Sequence, residues 1–141
     1  MNQPHRPRRL LRSICAVFAG FVVVVVLSLG TDLVLHATGV FPPWGDPMSD
    51  ALFLLATAYR TVYAVLGSYV TARLAPHRPM KHALAGGVVG LVLSTVGAVT
   101  TWERGPEFGP HWYPLALVAT AMPCAWAGGR LRTLQLPDDQ R

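Results

Sequence analysis

The sequence predicts an all-α integral membrane protein, built as a four-helix antiparallel up-down-up-down transmembrane bundle. Three observations predict it: a low content of charge, four long windows almost free of charged residues, and an alternating placement of the basic residues. Of the 141 residues, 52% are hydrophobic and 13% are charged, against roughly 25% charged in a typical soluble domain. A soluble protein of this size would need more polar residues to cover its surface.

The charged residues are bunched, and this leaves four windows of the length that a helix needs to cross a bilayer. A hydrocarbon core about 30 Å thick takes roughly 20 helical residues. The windows are 13–31, 51–72 (interrupted by Arg60), 83–102, and 105–129 (interrupted by Glu107). The first could instead be a signal peptide, but its apolar run exceeds the roughly 7–15 residues of such a segment, and no clean A-x-A site follows.

The basic residues stand at alternate ends of these windows. They lie in the N-terminal segment (Arg6, Arg8, Arg9, Arg12), the middle connection (Arg73, Arg78, Lys81) and the C-terminal segment (Arg130, Arg132, Arg141). The other connections, 40–50 and 103–111, hold one arginine and four acids. Because positive charge stays on the cytoplasmic side during insertion, both termini are predicted to be cytoplasmic, in a bacterial inner membrane. The basic flanks are expected to touch anionic lipid headgroups rather than nucleic acid.

The element boundaries follow from helix-stop and helix-start residues. We predict a basic cytoplasmic segment over 1–9, a transmembrane domain over 10–132 and a cytoplasmic tail over 133–141. Within the domain the helices are predicted at about 10–38, 50–74, 80–101 and 114–130. Gly39 suits a helix end, and Ser49 or Asp50 suits a cap. Prolines 76 and 79 break the chain between helices two and three, and Pro114 fits the first turn of helix four.

Small residues recur at four-residue spacing on helix three, at Gly86, Gly90, Ser94 and Ala98. In lipid, such a face lets a second helix approach closely. The pattern favours packing within the bundle. Self-association, or contact with a membrane protein partner through helix three, is the alternative.

Asp32 and Arg60 are the two charged side chains set well inside the helical windows. A charge at the bilayer centre costs at least about 2.5–3.5 kcal/mol, which pairing between opposite charges on adjacent helices offsets. Asp32 lies about 10 Å below Gly39 and Arg60 about 16 Å below Ser49, at 1.5 Å per residue. A long arginine side chain can close that gap by snorkelling. The sequence therefore predicts a direct or water-bridged pair, with an isolated Asp32 at the interface as the alternative.

Further polar residues surround this pair in sequence. His36 follows Asp32 by four residues, on the same helix face, and Tyr59 and Tyr63 flank Arg60. With His111, they are predicted to form an outer polar cluster, either a structural pair or a vestibule. Two histidines without fixed spacing are weak evidence for a metal or haem, and we expect no cofactor. The sequence contains no P-loop, H-E-x-x-H, G-x-S-x-G or C-x-x-C motif, so no enzyme activity is expected.

Two segments carry a family resemblance: "GSYVTARLAPHRPMKHALAGG" and "GPHWYPLALVATAMPCAWAGGRLR". Their R-L-A-P…P-M turn, the W-Y-P start of helix four and the closing P-x-x-W-x-G-G resemble a group of small bacterial four-helix membrane proteins. The resemblance spans residues 67–132. It implies architecture alone, because the group has no assigned activity.

Two other four-helix families fit less well. Small multidrug-resistance transporters use a carboxylate in mid-helix, whereas Asp32 lies at the outer end. Vitamin K epoxide reductase-like proteins need paired redox cysteines, which this sequence lacks.

The sequence thus favours a non-enzymatic accessory or interaction component of unknown molecular function. The alternative is a small oligomeric transporter or channel with an outer vestibule at Asp32, His36 and Arg60.

Overall fold

The structure is a computed structural model, and it describes residues 6–137 of the chain, with side chains from Arg8 onward. Within that range the fold is all-α, with four long helices and one short 3₁₀ turn but no strand. The helices are α1 (Arg6–Ala37), α2 (Asp50–Leu74), α3 (Pro79–Thr101) and α4 (Trp112–Leu134), and the 3₁₀ turn covers Pro106–Phe108.

The predicted helices are all present, with shifts at five of the eight ends, two of which are shifts of one residue, at the end of α1 and the start of α3. α2 has the predicted bounds, but α1 begins at Arg6, inside the segment that we assigned to a basic tail over 1–9. Helical geometry tolerates Arg and Lys well, so the basic run continues the helix. α4 is longer than predicted at both ends, at Trp112 and at Leu134. Residues 1–5 and 138–141 of the predicted termini lie outside the described residues.

The helices alternate in direction, and the contacts show which helices are neighbours. α1 runs antiparallel to α2, and α3 runs antiparallel to α4. α4 lies parallel to α2 along its whole length, from the Tyr113–Phe53 ring contact at one end to the Gln135–Tyr69 hydrogen bond at the other. α2 therefore packs mainly against α1 and α4 and less against α3, although the connection between α2 and α3 is short. α1 and α3 are parallel and touch only sparsely.

Glycines make the close helix crossings possible. A Cβ added to Gly67 of α2 would lie 2.6 Å from the carbonyl oxygen of Gly20 on α1, so the two backbones are in contact there. On α4, a Cβ on Gly128 would lie 2.7 Å from the backbone nitrogen of Tyr69 on α2. A Cβ on the next residue, Gly129, would meet Ala83 of α3 at 2.9 Å. Two adjacent glycines thus let α4 approach both α2 and α3 closely.

Three of the described helices are long and apolar enough to cross a membrane: α1 from Arg8 to Ala37, α2 and α3. α4 has a comparable length, but it is not among these three. The structure therefore supports a helical bundle in a membrane.

Candidate functional site

Asp32, the one buried carboxylate among the described residues, is held by two donors from α2. Its side chain forms an ion pair with Arg60, with 2.6 Å between Nη2 and Oδ2. The Tyr59 hydroxyl donates a hydrogen bond to the other carboxylate oxygen, Oδ1. Asp32 is 7% exposed, so both oxygens exchange water for protein donors. We refer to Asp32, Tyr59 and Arg60 as the polar anchor.

Aromatic rings from two helices surround the guanidinium of the anchor. The Arg60 Cζ atom lies 5.9 Å from the ring centroid of Tyr59 and 6.0 Å from that of Tyr113. Such distances permit cation–π attraction, which strengthens where water is excluded. Tyr113, at the start of α4, was not among the predicted site residues. In the sequence it stands out only as part of the W-Y-P start of helix four.

One nitrogen of Arg60 has no protein partner. Within the described residues, Nε is buried and makes no hydrogen bond, although Nη2 binds Asp32. A buried N–H without an acceptor costs about 1–3 kcal/mol. Arg60 is therefore neutralised in charge but has a donor to spare.

The two histidines of the predicted cluster make their contacts away from the anchor. His36 turns to the outer loop, where Nδ1 contacts the carbonyl oxygen of Pro42 at 2.6 Å and the ring stacks on Trp44 at 3.7 Å. His111 stacks on Trp102 instead, 4.3 Å between ring centroids. The histidines are therefore held by separate loop aromatics, which sequence spacing alone does not disclose. Among the described residues no group of three or more metal-ligating side chains forms a metal site.

Tyr63 reinforces the contact between α1 and α2 beside the anchor. Its hydroxyl lies 2.9 Å from Oγ1 of Thr31, the residue before Asp32. Its ring also lies 5.8 Å from that of Tyr59. Together with the ion pair, these bonds fix the register of α1 against α2. In chemical terms the arrangement positions two helices and leaves the buried Nε–H of Arg60 without an acceptor among the described residues.

A cleft of about 390 Å³ lies beside the anchor, and Arg60 forms part of its wall. All four helices contribute to it. Three members of the predicted small-residue face on α3, Gly86, Gly90 and Ser94, line this cleft, and Ala98 is buried. A Cβ on Gly90 would meet no atom within 4 Å. At Gly90 this face therefore borders open space inside the bundle instead of a tightly packed helix.

A different set of small residues makes the contact between α3 and α4. Gly87 packs against Ala125 and lies within 3.2 Å of the Met122 sulfur, measured from an added Cβ. Ala125 is fully buried. Gly87 is one residue beyond Gly86, so the packed face of α3 is rotated from the predicted one.

Comparisons of the chain with known protein families, curated proteins and solved structures find no match.

Proposed function

We propose that this protein is a multi-pass protein of the bacterial inner membrane, with four transmembrane helices and both termini in the cytoplasm. We further propose that it is a non-enzymatic accessory or interaction component, which acts through contacts inside the bilayer. The observation that carries this proposal is the polar anchor. Its buried carboxylate and half-buried guanidinium satisfy each other across α1 and α2, so they hold the bundle in register.

The path of α4 supports the fourth span. α2 is apolar enough to cross the membrane, and α4 lies parallel to it over its length. A helix in contact with both α2 and α3 at Gly128 and Gly129 shares their depth in the bilayer. Its modest hydropathy suits a helix that buries part of its surface against protein.

The outward face of α3 supports a partner inside the membrane. Val88, Val92, Val96 and Val99 form an exposed apolar ridge, with at least half of each side chain uncovered. β-branched side chains have few rotamers, so little side-chain entropy is lost when they pack against a second helix. We propose this valine ridge as the contact surface for a second copy of the chain or a partner helix.

Mass measurement of the protein extracted with its surrounding lipid tests the interaction. We expect a complex of defined stoichiometry, which Val92→Trp on the ridge dissociates. Val26 on α1 is exposed to a similar degree, so Val26→Trp is the matched control and should leave the complex intact. A strictly monomeric parent protein would rule out self-association or stable partnership through this ridge.

Reporter fusions test the orientation. A reporter that works only outside the cytoplasm should be inactive when joined after Pro76 and active when joined after Gly105. The reverse pattern would invert the proposed topology.

The cleft favours a second candidate, a small oligomeric transporter or channel. It extends from Arg60 toward the cytoplasmic half of the bundle and includes Ser28, Ser94 and Thr120. His36 does not line it. Reconstituted protein would show solute flux that Gly90→Leu blocks. Absence of flux across a panel of ions and small solutes would remove this candidate.

A further inference from the structure

The cleft has the dimensions of a site for an elongated molecule. On α1 its wall runs from Val17 to Leu29, about 18 Å at 1.5 Å per residue. This is slightly more than half of the roughly 30 Å hydrocarbon thickness, so the cleft has the length of a chain that fills one leaflet. Its volume of about 390 Å³ lies within the range of known ligand sites, about 300–1,000 Å³.

The cleft lies close to the lipid-facing surface of α1 and α3. A second depression, of about 560 Å³, lies on the outside of the same two helices. Val17, Phe21, Val89 and Leu93 border both spaces, so these four side chains form a shared wall between the depression and the cleft. All four are apolar, so no polar side chain of this shared wall separates the cleft from the outer depression.

The two walls converge at the cytoplasmic end. Ser13 on α1 and His82 on α3 form a hydrogen bond, 2.9 Å between Oγ and Nε2. One turn further along, a Cβ on Gly86 would lie 3.8 Å from Val17 Cγ1. An α-helix with side chains is about 10–12 Å wide, so a partner helix does not fit between walls that touch. A single flexible chain does.

The lining favours a largely apolar, uncharged ligand. Most lining residues are aliphatic or glycine. The hydroxyls of Thr61, Ser94 and Thr120 donate to carbonyls of their own helices, and Ser28, Ser68 and Thr71 add further hydroxyls to the lining. Arg60 lies at the outer end with its charge matched by Asp32 and its Nε–H unpartnered. An anionic head would face the Asp32 carboxylate, whereas a neutral carbonyl oxygen would accept a hydrogen bond without that repulsion.

We propose that the cleft between α1 and α3 binds one apolar chain of a membrane lipid, whose uncharged carbonyl head group accepts a hydrogen bond from Arg60. Two membrane components share this chemistry: the acyl ester of a phospholipid and the ketone of an isoprenoid quinone. The bundle thereby holds a specific lipid as part of its structure.

Photolabelling of the intact protein in lipid nanodiscs tests the proposal. The probe is a phosphatidylcholine with a diazirine near the end of one acyl chain. Labelling should concentrate on cleft residues of α1 and α3. Gly90→Leu places a side chain in the cleft, where an added Cβ meets no atom within 4 Å. It should lower cleft labelling about tenfold, which corresponds to about 1.4 kcal/mol of binding.

Gly97→Leu is the matched control. Gly97 lies on the same helix, and its added Cβ also meets no atom within 4 Å, but it does not line the cleft. Labelling of Gly97→Leu should equal labelling of the parent protein. Gly90→Leu and Gly97→Leu should both accumulate in the membrane normally. Ser94→Leu fills the cleft from the next turn of α3 and should repeat the loss.

Competition identifies the source of the chain. If an unlabelled isoprenoid quinone at low mole fraction suppresses the labelling, the ligand is a quinone. If only excess phospholipid suppresses it, the ligand is an acyl chain. Equal labelling of the parent and Gly90→Leu, or labels confined to outward positions such as Val92 and Val26, would overturn the proposal.

Discussion

α1 lies beside glycines of two neighbouring helices, α2 and α3, and these glycines differ in what lies opposite them. Against α2, Gly20 meets Gly67, and the backbones touch in what we name the glycine seam. Against α3, Gly86 and Gly90 border the cleft, and Gly90 has no atom within reach of an added Cβ. Small residues therefore permit close approach, but a second interaction is needed to draw the helices together. The polar anchor supplies it for α1 and α2.

Gly67→Leu is expected to have the largest effect, because it breaks the seam. Its Cβ would lie 2.6 Å from a carbonyl oxygen of α1, which no rotamer change relieves. We expect a loss of about 3 kcal/mol or more in unfolding free energy. Gly90→Leu, the same change at the cleft, should stay within about 1 kcal/mol of the parent. Thermal unfolding in detergent measures both, and equal losses would refute the distinction between seam and cleft.

Charge reversal of the anchor is expected to come next. Asp32→Arg leaves Arg60 beside a like charge. Breaking a fully buried pair costs about 3–5 kcal/mol, and we expect a smaller loss here because Arg60 is half-buried. Membrane accumulation should fall, and adding Arg60→Asp should restore part of it. A double variant no better than the worse single one would show that the two charges do not stabilise each other.

The α4 crossings should respond less strongly and unequally. Gly128→Ala places a methyl group against the α2 backbone at Tyr69, whereas Gly129→Ala meets the flexible Met80 side chain and Ala83. Overpacking costs about 1–3 kcal/mol, and we expect Gly128→Ala near the top of that range and Gly129→Ala near the bottom. Melting temperatures of the two variants compare them directly. The reverse order would mean that α4 is held by α3 more rigidly than by α2.

The smallest effect is expected at the narrow end of the cleft. Ser13→Ala removes the hydrogen bond to His82, worth about 0.5–1.5 kcal/mol. Thr100→Ala is the control, since Thr100 is exposed and bonds only to its own helix. The unfolding free energies of the two variants, measured from unfolding curves, should differ by less than about 1.5 kcal/mol. No difference between them would mean that the Ser13–His82 bond does not hold the two walls.

Much of the fold was predictable because membrane insertion constrains the sequence at the level of whole segments. The charge-free windows predicted the positions of the four helices. The pairing of Asp32 with Arg60 was predictable because they are the two charged residues set well inside the helical windows, at similar depths. Neighbour choice was not predictable from loop length. α2 packs beside α4 because Gly128 lets the α2 backbone approach closely. The contacting residues are about 60 positions apart in sequence, so no periodic pattern predicts the contact.

The site was predictable in part, for related reasons. Tyr59 lies next to Arg60 in sequence and was expected in the cluster, whereas Tyr113 comes from another helix. His36 shares a helix face with Asp32, but its side chain contacts the carbonyl of Pro42 and the ring of Trp44 in the outer loop. The spacing of Gly86 and Gly90 is the same whether a helix or a cleft lies opposite.

The central claim is that α4 crosses the bilayer beside α2, so that the helices follow the order α1, α2, α4, α3 around the bundle and leave the cleft between α1 and α3. A reporter that is active only outside the cytoplasm, joined after Pro137, tests this most directly. Crossing predicts an inactive fusion, while the fusion after Gly105 is active. Activity after Pro137 would place the end of α4 outside the cell and contradict the arrangement.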